Sequence, residues 1–184
     1  MTNTKTPTFR LGACPVMVAL WSFMLMSFGE KQYAVPPDVS QGRNNFTPNT
    51  PELAPVDFAK VTKVVLYGEV IDERTRKLKN HTGIDFKIAK GSDVVAAEDG
   101  VVIVQGYGEK RGNHVVIKHN EIFTTRYFHF ERALVKHGDT VKKGQVIGLV
   151  GNTGLSTIPH LHYEVLKHGV QVDPKDYLPS LPAP

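Results

Sequence analysis

The chain has 184 residues and a formal charge of +4, which is enough sequence for one well-cored domain with an appendage. The basic residues are scattered and no aromatic platform is interleaved with them, so the composition argues against a nucleic-acid partner. The single cysteine, Cys14, excludes an intrachain disulfide.

An uncharged, apolar segment follows a short basic N-terminus. Residues 1–10 carry Lys5 and Arg10, and residues 11–29 contain no charged side chain. At ~1.5 Å per residue, a helix of this length spans roughly 28 Å, about the hydrocarbon thickness of a bilayer. Two interpretations are open: an uncleaved membrane anchor, or a signal segment cleaved near residues 27–29. Both export the rest of the chain, which then faces the periplasm or the cell exterior or is secreted.

A linker is predicted after this N-terminal segment of residues 1–30. Residues 31–60 are rich in proline, asparagine and threonine, a composition that cannot build a core and is typical of disordered spacers. The linker also disfavours a third interpretation of residues 11–29, a buried core helix. The lipoprotein-like sequence that ends at Cys14 precedes the apolar region instead of following it, which argues against lipidation.

Residues 61–178 have the texture of an all-β domain, and residues 179–184 form a tail. Short β-branched runs follow one another, separated by glycine and charged turns, and no long helical period appears. Closely spaced strands of this kind favour a sandwich or a barrel-like domain. The runs lie at residues 64–67, 84–88, 94–97, 101–104, 115–117, 123–130, 145–150 and 162–166.

Two short motifs place metal-ligand side chains on strand faces. His160 and His162 are two residues apart before an apolar run, so both imidazoles point the same way with Leu161 buried behind them. His81 and Asp85 also share a face if the strand reaches back to His81. Two imidazoles and a carboxylate suit zinc, with the fourth position left open for water.

Hydrolysis of an amide needs a polarised carbonyl, an activated water and a group that manages the proton. Zinc with three protein ligands supplies the first two, and the ligands predicted here are His81, Asp85 and either His160 or His162. The histidine left off the metal can take a proton or hold the developing oxyanion, and His129 in an alternating run is a further candidate. Four other histidines are expected at the surface or in turns: His114, His119, His137 and His168. Of these, His119 follows an alternating strand and could line the same groove.

The chain resembles the lysostaphin/LytM-type zinc endopeptidases of bacterial cell walls. The family signatures His-x-x-x-Asp and His-x-His correspond to residues 81–85 and 160–162, and the histidine of a Tyr-x-His segment corresponds to residues 127–130. The resemblance covers roughly residues 64–178, and the matching segments between the signatures are 91–102, 112–119, 138–148 and 151–154.

This resemblance implies the fold, the roles of the site residues and the reaction. The ligands of one zinc ion would be His81, Asp85 and His162, with His160 and His129 as general base and transition-state stabiliser. The fold would be a two-sheet antiparallel β sandwich-like domain with an open groove across one face. The activity would be hydrolysis of peptide bonds in peptidoglycan, in stem-peptide cross-links or interpeptide bridges. We expect a monomer whose partners are peptidoglycan peptides and, if residues 11–29 are retained, the membrane.

Two other functions compete with this one. A non-catalytic regulator or wall-binding module on the same fold is disfavoured because all five site residues are present. A biotinyl or lipoyl carrier domain is suggested by residues 97–101 and 144–148. That fold needs a lysine at an exposed hairpin tip, which these segments lack, and it would leave the histidines unexplained.

Overall fold

The structure is a computed structural model that describes residues 49–72 and 75–182. In these ranges it contains two short 3-10 helices, Phe58–Lys60 and Pro174–Asp176, and no helix long and apolar enough to cross a membrane. The predicted hydrophobic helix at residues 11–29 and the predicted linker up to residue 48 lie outside the described residues. The strands are β1 (Lys63–Val65), β2 (Gly68–Ile71), β3 (Leu78–His81), β4 (Ile84–Lys87), β5 (Asp93–Val95), β6 (Gly100–Gly108), β7 (Gly112–Lys118), β8 (Phe123–Ala133), β9 (Thr140–Val141), β10 (Val146–Val150), β11 (His160–Lys167) and β12 (Val170–Val172).

The predicted all-β class is confirmed, and the described pairings are all antiparallel. Ten strands share one hydrogen-bonded sheet with the main order β1-β4-β11-β8-β7-β6-β9, and β12 joins at β11. Strand β8 is long enough to change partners: it pairs with β11 up to Phe128, and from Phe130 it pairs with β10, which continues to β5. This pairing differs from the predicted two-sheet sandwich. Strand β8 pairs with both β11 and β10 and so unites ten strands in one sheet, whereas the described hairpin β2–β3 forms a small separate sheet.

One face of β11 carries the core and the other carries polar groups. Leu161, Tyr163 and Val165 have no exposed surface, as their alternate positions on the strand require. A fully buried side chain of this size contributes about 1.5–3 kcal/mol relative to an exposed one. The opposite face of β11 presents His160 and His162, so the predicted orientation of this strand is confirmed.

A bulge in β8 changes the alternation at its middle. Val115 of β7 lies opposite Tyr127, but Asn113 lies opposite Phe130, so β8 has one extra residue between these pairs. His129, at this point, has a φ of 64°, a left-handed conformation that is uncommon for a residue other than glycine. The extra residue breaks the strict alternation predicted for residues 127–130 and gives two successive side chains, Phe128 and His129, the same face.

The folded part of the chain begins before residue 61. Val56 is buried in the core at 3% exposure, and the ring of Phe58 lies 5.3 Å from that of Phe86. The N–H of Val95 donates to the carbonyl of Pro55 at 2.9 Å. The last part of the predicted linker thus packs on the domain, because its few apolar side chains cover the end of the sheet.

A buried network of hydrogen bonds crosses the core away from the groove. His119 Nδ1 donates to the carbonyl of Asp99 at 2.8 Å, and its Nε2 lies 2.7 Å from the Thr125 hydroxyl. That hydroxyl lies 2.9 Å from the Tyr127 hydroxyl, which accepts the N–H of Ala97. Burial in this network favours the neutral form of the His119 imidazole. Burial accordingly lowers the pKa of His119.

From this hydrogen-bond network and the lowered pKa of His119, we predict that His119 contributes to stability in a pH-dependent way. The unfolded chain binds the proton more readily, because the folded pKa lies below the ordinary value of about 6.5. The contribution is complete above that value and is lost as the pH falls towards the folded pKa. At pH 7.5 we expect His119→Gln to destabilise the protein by about 1–3 kcal/mol. In thermal unfolding, the gap between wild type and variant should narrow from pH 7.5 to pH 5.5, and a constant gap would contradict the account.

Candidate metal centre

Three side chains converge where β3, β4 and β11 meet. His81 ends β3 and Asp85 lies in β4, and only Thr82 and Gly83 separate these strands. Asp85 lies directly opposite His162 in the β4–β11 register. At Gly83, a side chain would collide with the carbonyl of Tyr163, so glycine permits β4 to approach β11 this closely.

The donor atoms of these three residues lie within reach of one ion. His162 Nδ1 lies 2.7 Å from Asp85 Oδ1, and His81 Nε2 lies 3.1 Å from that oxygen and 3.2 Å from His162 Nδ1. Two ligands bound tetrahedrally to zinc at about 2.1 Å lie about 3.4 Å apart. The donor set of two imidazoles and one carboxylate therefore fits zinc with little rearrangement.

The other ring nitrogen of each imidazole is held by an oxygen acceptor. His81 Nδ1 donates to the carbonyl of Leu66 at 2.7 Å, and His162 Nε2 donates to Glu164 Oε1 at 3.4 Å. These contacts leave His81 Nε2 and His162 Nδ1 facing the shared point, where each could coordinate a metal once it carries no proton. Such outer contacts are the usual way in which a protein fixes the tautomer of a metal-binding histidine.

Without an ion, the negative charge of the site retains a proton. Burial alone would lower the pKa of His162, but Asp85 and Glu164 outweigh it and raise that pKa to about 9. Burial alone would raise the pKa of Asp85, and hydrogen bonding with His162 and His81 holds it well below its ordinary value instead. The proton on His162 supplies positive charge that a metal ion would otherwise supply, so a metal that binds at neutral pH would displace this proton.

Glu164 is a site residue that the sequence prediction missed. It lies on the same face of β11 as His162 and is 3% exposed. Its carboxylate accepts hydrogen bonds from Thr82 Oγ1 at 2.6 Å and from Arg126 at 3.1 Å. Burial alone would raise its pKa, but hydrogen bonds with His162, Thr82 and Arg126 lower it to about 2. The i+2 spacing from His162 was the available signal for this residue.

His129 and His160 lie beside the three donors. Their rings are 4.6 Å apart, and His160 Nε2 lies 3.8 Å from Asp85 Oδ1. Each Nδ1 donates to a backbone carbonyl at 2.8 Å, that of Thr153 for His129 and that of Ile158 for His160. In the neutral ring, each Nε2 is therefore the acceptor nitrogen. Burial, with a smaller effect of His160, lowers the pKa of His129 to about 4 and keeps that ring neutral.

All five predicted site residues line one groove of about 960 Å³. Its rims include the hairpin β2–β3 and residues 154–158. The expectation that His119 reaches this groove is wrong, since its ring lies in the core network. His114 is buried as well, with its ring edge against Phe128, so the surface position predicted for it is also wrong.

The fold and the site define an all-β domain with a candidate His-Asp-His metal centre in an open groove. Residues 79–174, more than half of the chain, match Peptidase family M23. The chain belongs to this family. The chain is 40% identical over 122 residues to peptidoglycan DD-endopeptidase ShyC of Vibrio cholerae serotype O1, covering 66% of this chain and 28% of that protein. It is 44% identical over 99 residues to ShyA of the same organism, covering 54% of this chain and 23% of that protein.

Solved structures show the same fold. A zinc-containing peptidase from Vibrio cholerae superposes with a TM-score of 0.61 at 38% identity, over 74% of this chain and 41% of that chain. The catalytic domain of lysostaphin from Staphylococcus simulans has a TM-score of 0.58 at 30% identity, over 65% of this chain and 93% of that chain. The chain spans about a quarter of the length of the curated relatives it matches.

Replacing Glu164 should weaken zinc binding. Glu164→Gln removes the negative charge behind His162, which makes that imidazole a poorer ligand, and we expect zinc affinity to fall roughly 10–100-fold. Competition with a chromophoric chelator measures the change. Glu121→Gln is the matched control, because Glu121 is an exposed glutamate that pairs with Lys118 and does not line the groove. Equal zinc affinity of the Glu164 variant and wild type would show that this carboxylate does not support the ligand.

Proposed function

We propose that this chain is an exported zinc-dependent endopeptidase that hydrolyses peptide bonds in bacterial peptidoglycan, in stem-peptide cross-links or in interpeptide bridges. The observation that carries the proposal is the convergence of three candidate metal donors with two further imidazoles in one open groove. The relatives ShyC and ShyA are peptidoglycan DD-endopeptidases, which supports the choice of substrate. Residues 11–29 support export through their uncharged, apolar sequence.

His81, Asp85 and His162 would hold the zinc ion. When bound, zinc polarises a carbonyl and lowers the pKa of a bound water to about 7. The chain contributes a fixed geometry, since strand pairing and outer hydrogen bonds orient all three ligands. It also contributes the charge that holds the ion, because two carboxylates, Asp85 and Glu164, remain ionised at the site.

The two remaining histidines would act on the attacking water. Nε2 of His160 is the acceptor nitrogen of its ring and lies 3.8 Å from Asp85 Oδ1, so it would take a proton from water beside the metal donors. His160 then returns that proton to the leaving amine. His129 resists protonation, as its lowered pKa shows, and is suited to accept a hydrogen bond from the attacking water and so orient it.

Two alanine substitutions separate metal binding from proton transfer. His162→Ala should lose both zinc and activity, because it removes one of three ligands. His160→Ala should retain most of the zinc and lose activity by roughly 10²–10⁴-fold, the usual contribution of a general base. Zinc content by atomic emission and turnover of cross-linked muropeptides measure the two effects. If His160→Ala emptied the site as fully as His162→Ala, the assignment of roles would be wrong.

The direct test of the function uses the full chain and purified cross-linked muropeptides. We expect cleavage that stops with a chelator and returns with zinc, and the masses of the products identify the bond that is cut. Absence of cleavage by zinc-loaded protein across several cross-link types would contradict the proposal.

A further inference from the structure

A basic turn borders the groove and has no role in the site described above. Residues 109–111 join β6 to β7, and two backbone hydrogen bonds attach this turn to the groove. The N–H of His129 donates to the carbonyl of Arg111 at 2.9 Å, and the N–H of Leu155 donates to the carbonyl of Lys110 at 3.0 Å. The backbone of Arg111 is therefore fixed relative to His129, one of the two site histidines that would not hold the metal.

The side chain of Arg111 is directed over an aromatic ring of the groove. Its guanidinium carbon lies 5.3 Å from the ring centroid of Phe128. That ring stacks on the imidazole of His162 at 5.3 Å with an interplanar angle of 7°. The ring of Phe128 thus lies between the guanidinium and His162, a proposed metal ligand. The guanidinium carbon therefore lies no more than about 11 Å from the ring centroid of His162, a distance that three residues of an extended peptide span at about 3.3 Å each.

The charge of Arg111 is not neutralised within the described part of the chain. No described carboxylate forms an ion pair with Arg111, whereas another cation of the groove, Lys79, pairs with Asp72 at 3.1 Å. A guanidinium over an aromatic face keeps the N–H donors at its edge available. Those donors match the two oxygens of a carboxylate, which forms bidentate hydrogen bonds with arginine.

We propose that Arg111 determines specificity by binding a substrate carboxylate within about three residues of the scissile bond. The preferred substrate is then an acidic peptide, and an otherwise identical peptide with that carboxylate amidated is a poor one. The inference rests on the proposed function and names the substrate class of the same groove. Arg111 does not touch the reacting atoms, so its effect belongs to substrate binding and not to the chemical step.

The test compares two cross-linked muropeptides that differ only in whether their stem carboxylates are free or amidated. Zinc-loaded wild type should cleave the free form with a kcat/KM roughly ten- to a hundredfold higher, as expected for a charge-assisted hydrogen bond. Arg111→Gln should lose this preference through a higher KM for the free form, with kcat and the amidated form unchanged. Since the arginine is exposed, the preference of wild type should also weaken at high salt.

Three further variants isolate the guanidinium. Arg111→Lys should restore only part of the preference, because an ammonium keeps the charge but lacks the planar pair of donors. Lys110→Gln removes the neighbouring cation and should leave most of the preference. Arg132→Gln removes an exposed arginine of β8 that does not line the groove and should change nothing.

The outcomes distinguish this inference from the proposed function. Equal kcat/KM of wild type for the two muropeptides, or an equal loss on both in Arg111→Gln, would overturn the role of Arg111 while leaving the endopeptidase intact. If wild type cleaves neither form, the proposed function fails, and calorimetric binding of the same two muropeptides to wild type and Arg111→Gln decides the inference. Tighter binding of the free form that the variant loses supports it, and equal binding contradicts it.

Discussion

The register between β4 and β11 is the constraint on which the candidate site depends. It sets Asp85 opposite His162 and places the end of β3 beside them. A slip of one residue would turn His162 into the core and expose Leu161 and Tyr163. The complete burial of those two side chains prevents the slip. Hydrophobic packing on one face of β11 thus fixes the metal donors on the other.

Electrostatics then make the site a place for a cation. Two ionised carboxylates, Asp85 and Glu164, lie near the imidazole of His162. Arg126 pairs with Glu164 as well, at 3.1 Å. In the metal-free protein the excess negative charge is met by a proton on His162, whose pKa is raised for that reason. The groove therefore couples metal binding to proton release, while the neutral ring of His129 adds no competing charge.

Strand periodicity was sufficient to predict part of this arrangement. The all-β class and the shared face of His160 and His162 follow from alternation, and the same alternation also leads to Glu164, which was not predicted. The place of His129 does not follow from alternation, since strict periodicity puts it on the face of Tyr127. A bulge reverses its side, and bulges depend on pairing between strands that the sequence of one strand does not reveal.

Contacts between distant segments explain the other differences. Burial of His119 depends on Asp99 and Thr125, which provide hydrogen bonds that a reader of the strand alone cannot anticipate. The last part of the predicted linker packs on the domain because Val56 and Phe58 find apolar partners on the sheet, although its composition is that of a spacer. Composition and periodicity report local preference, and these positions are decided by tertiary contacts.

Anomalous diffraction at the zinc edge from crystals of the zinc-loaded protein tests the central claim most directly. The account predicts one strong peak bonded to Nε2 of His81, a carboxylate oxygen of Asp85 and Nδ1 of His162, with both nitrogens of His129 and His160 beyond bonding distance. A peak bonded to His160 in place of His162, or no peak in the groove, would contradict it.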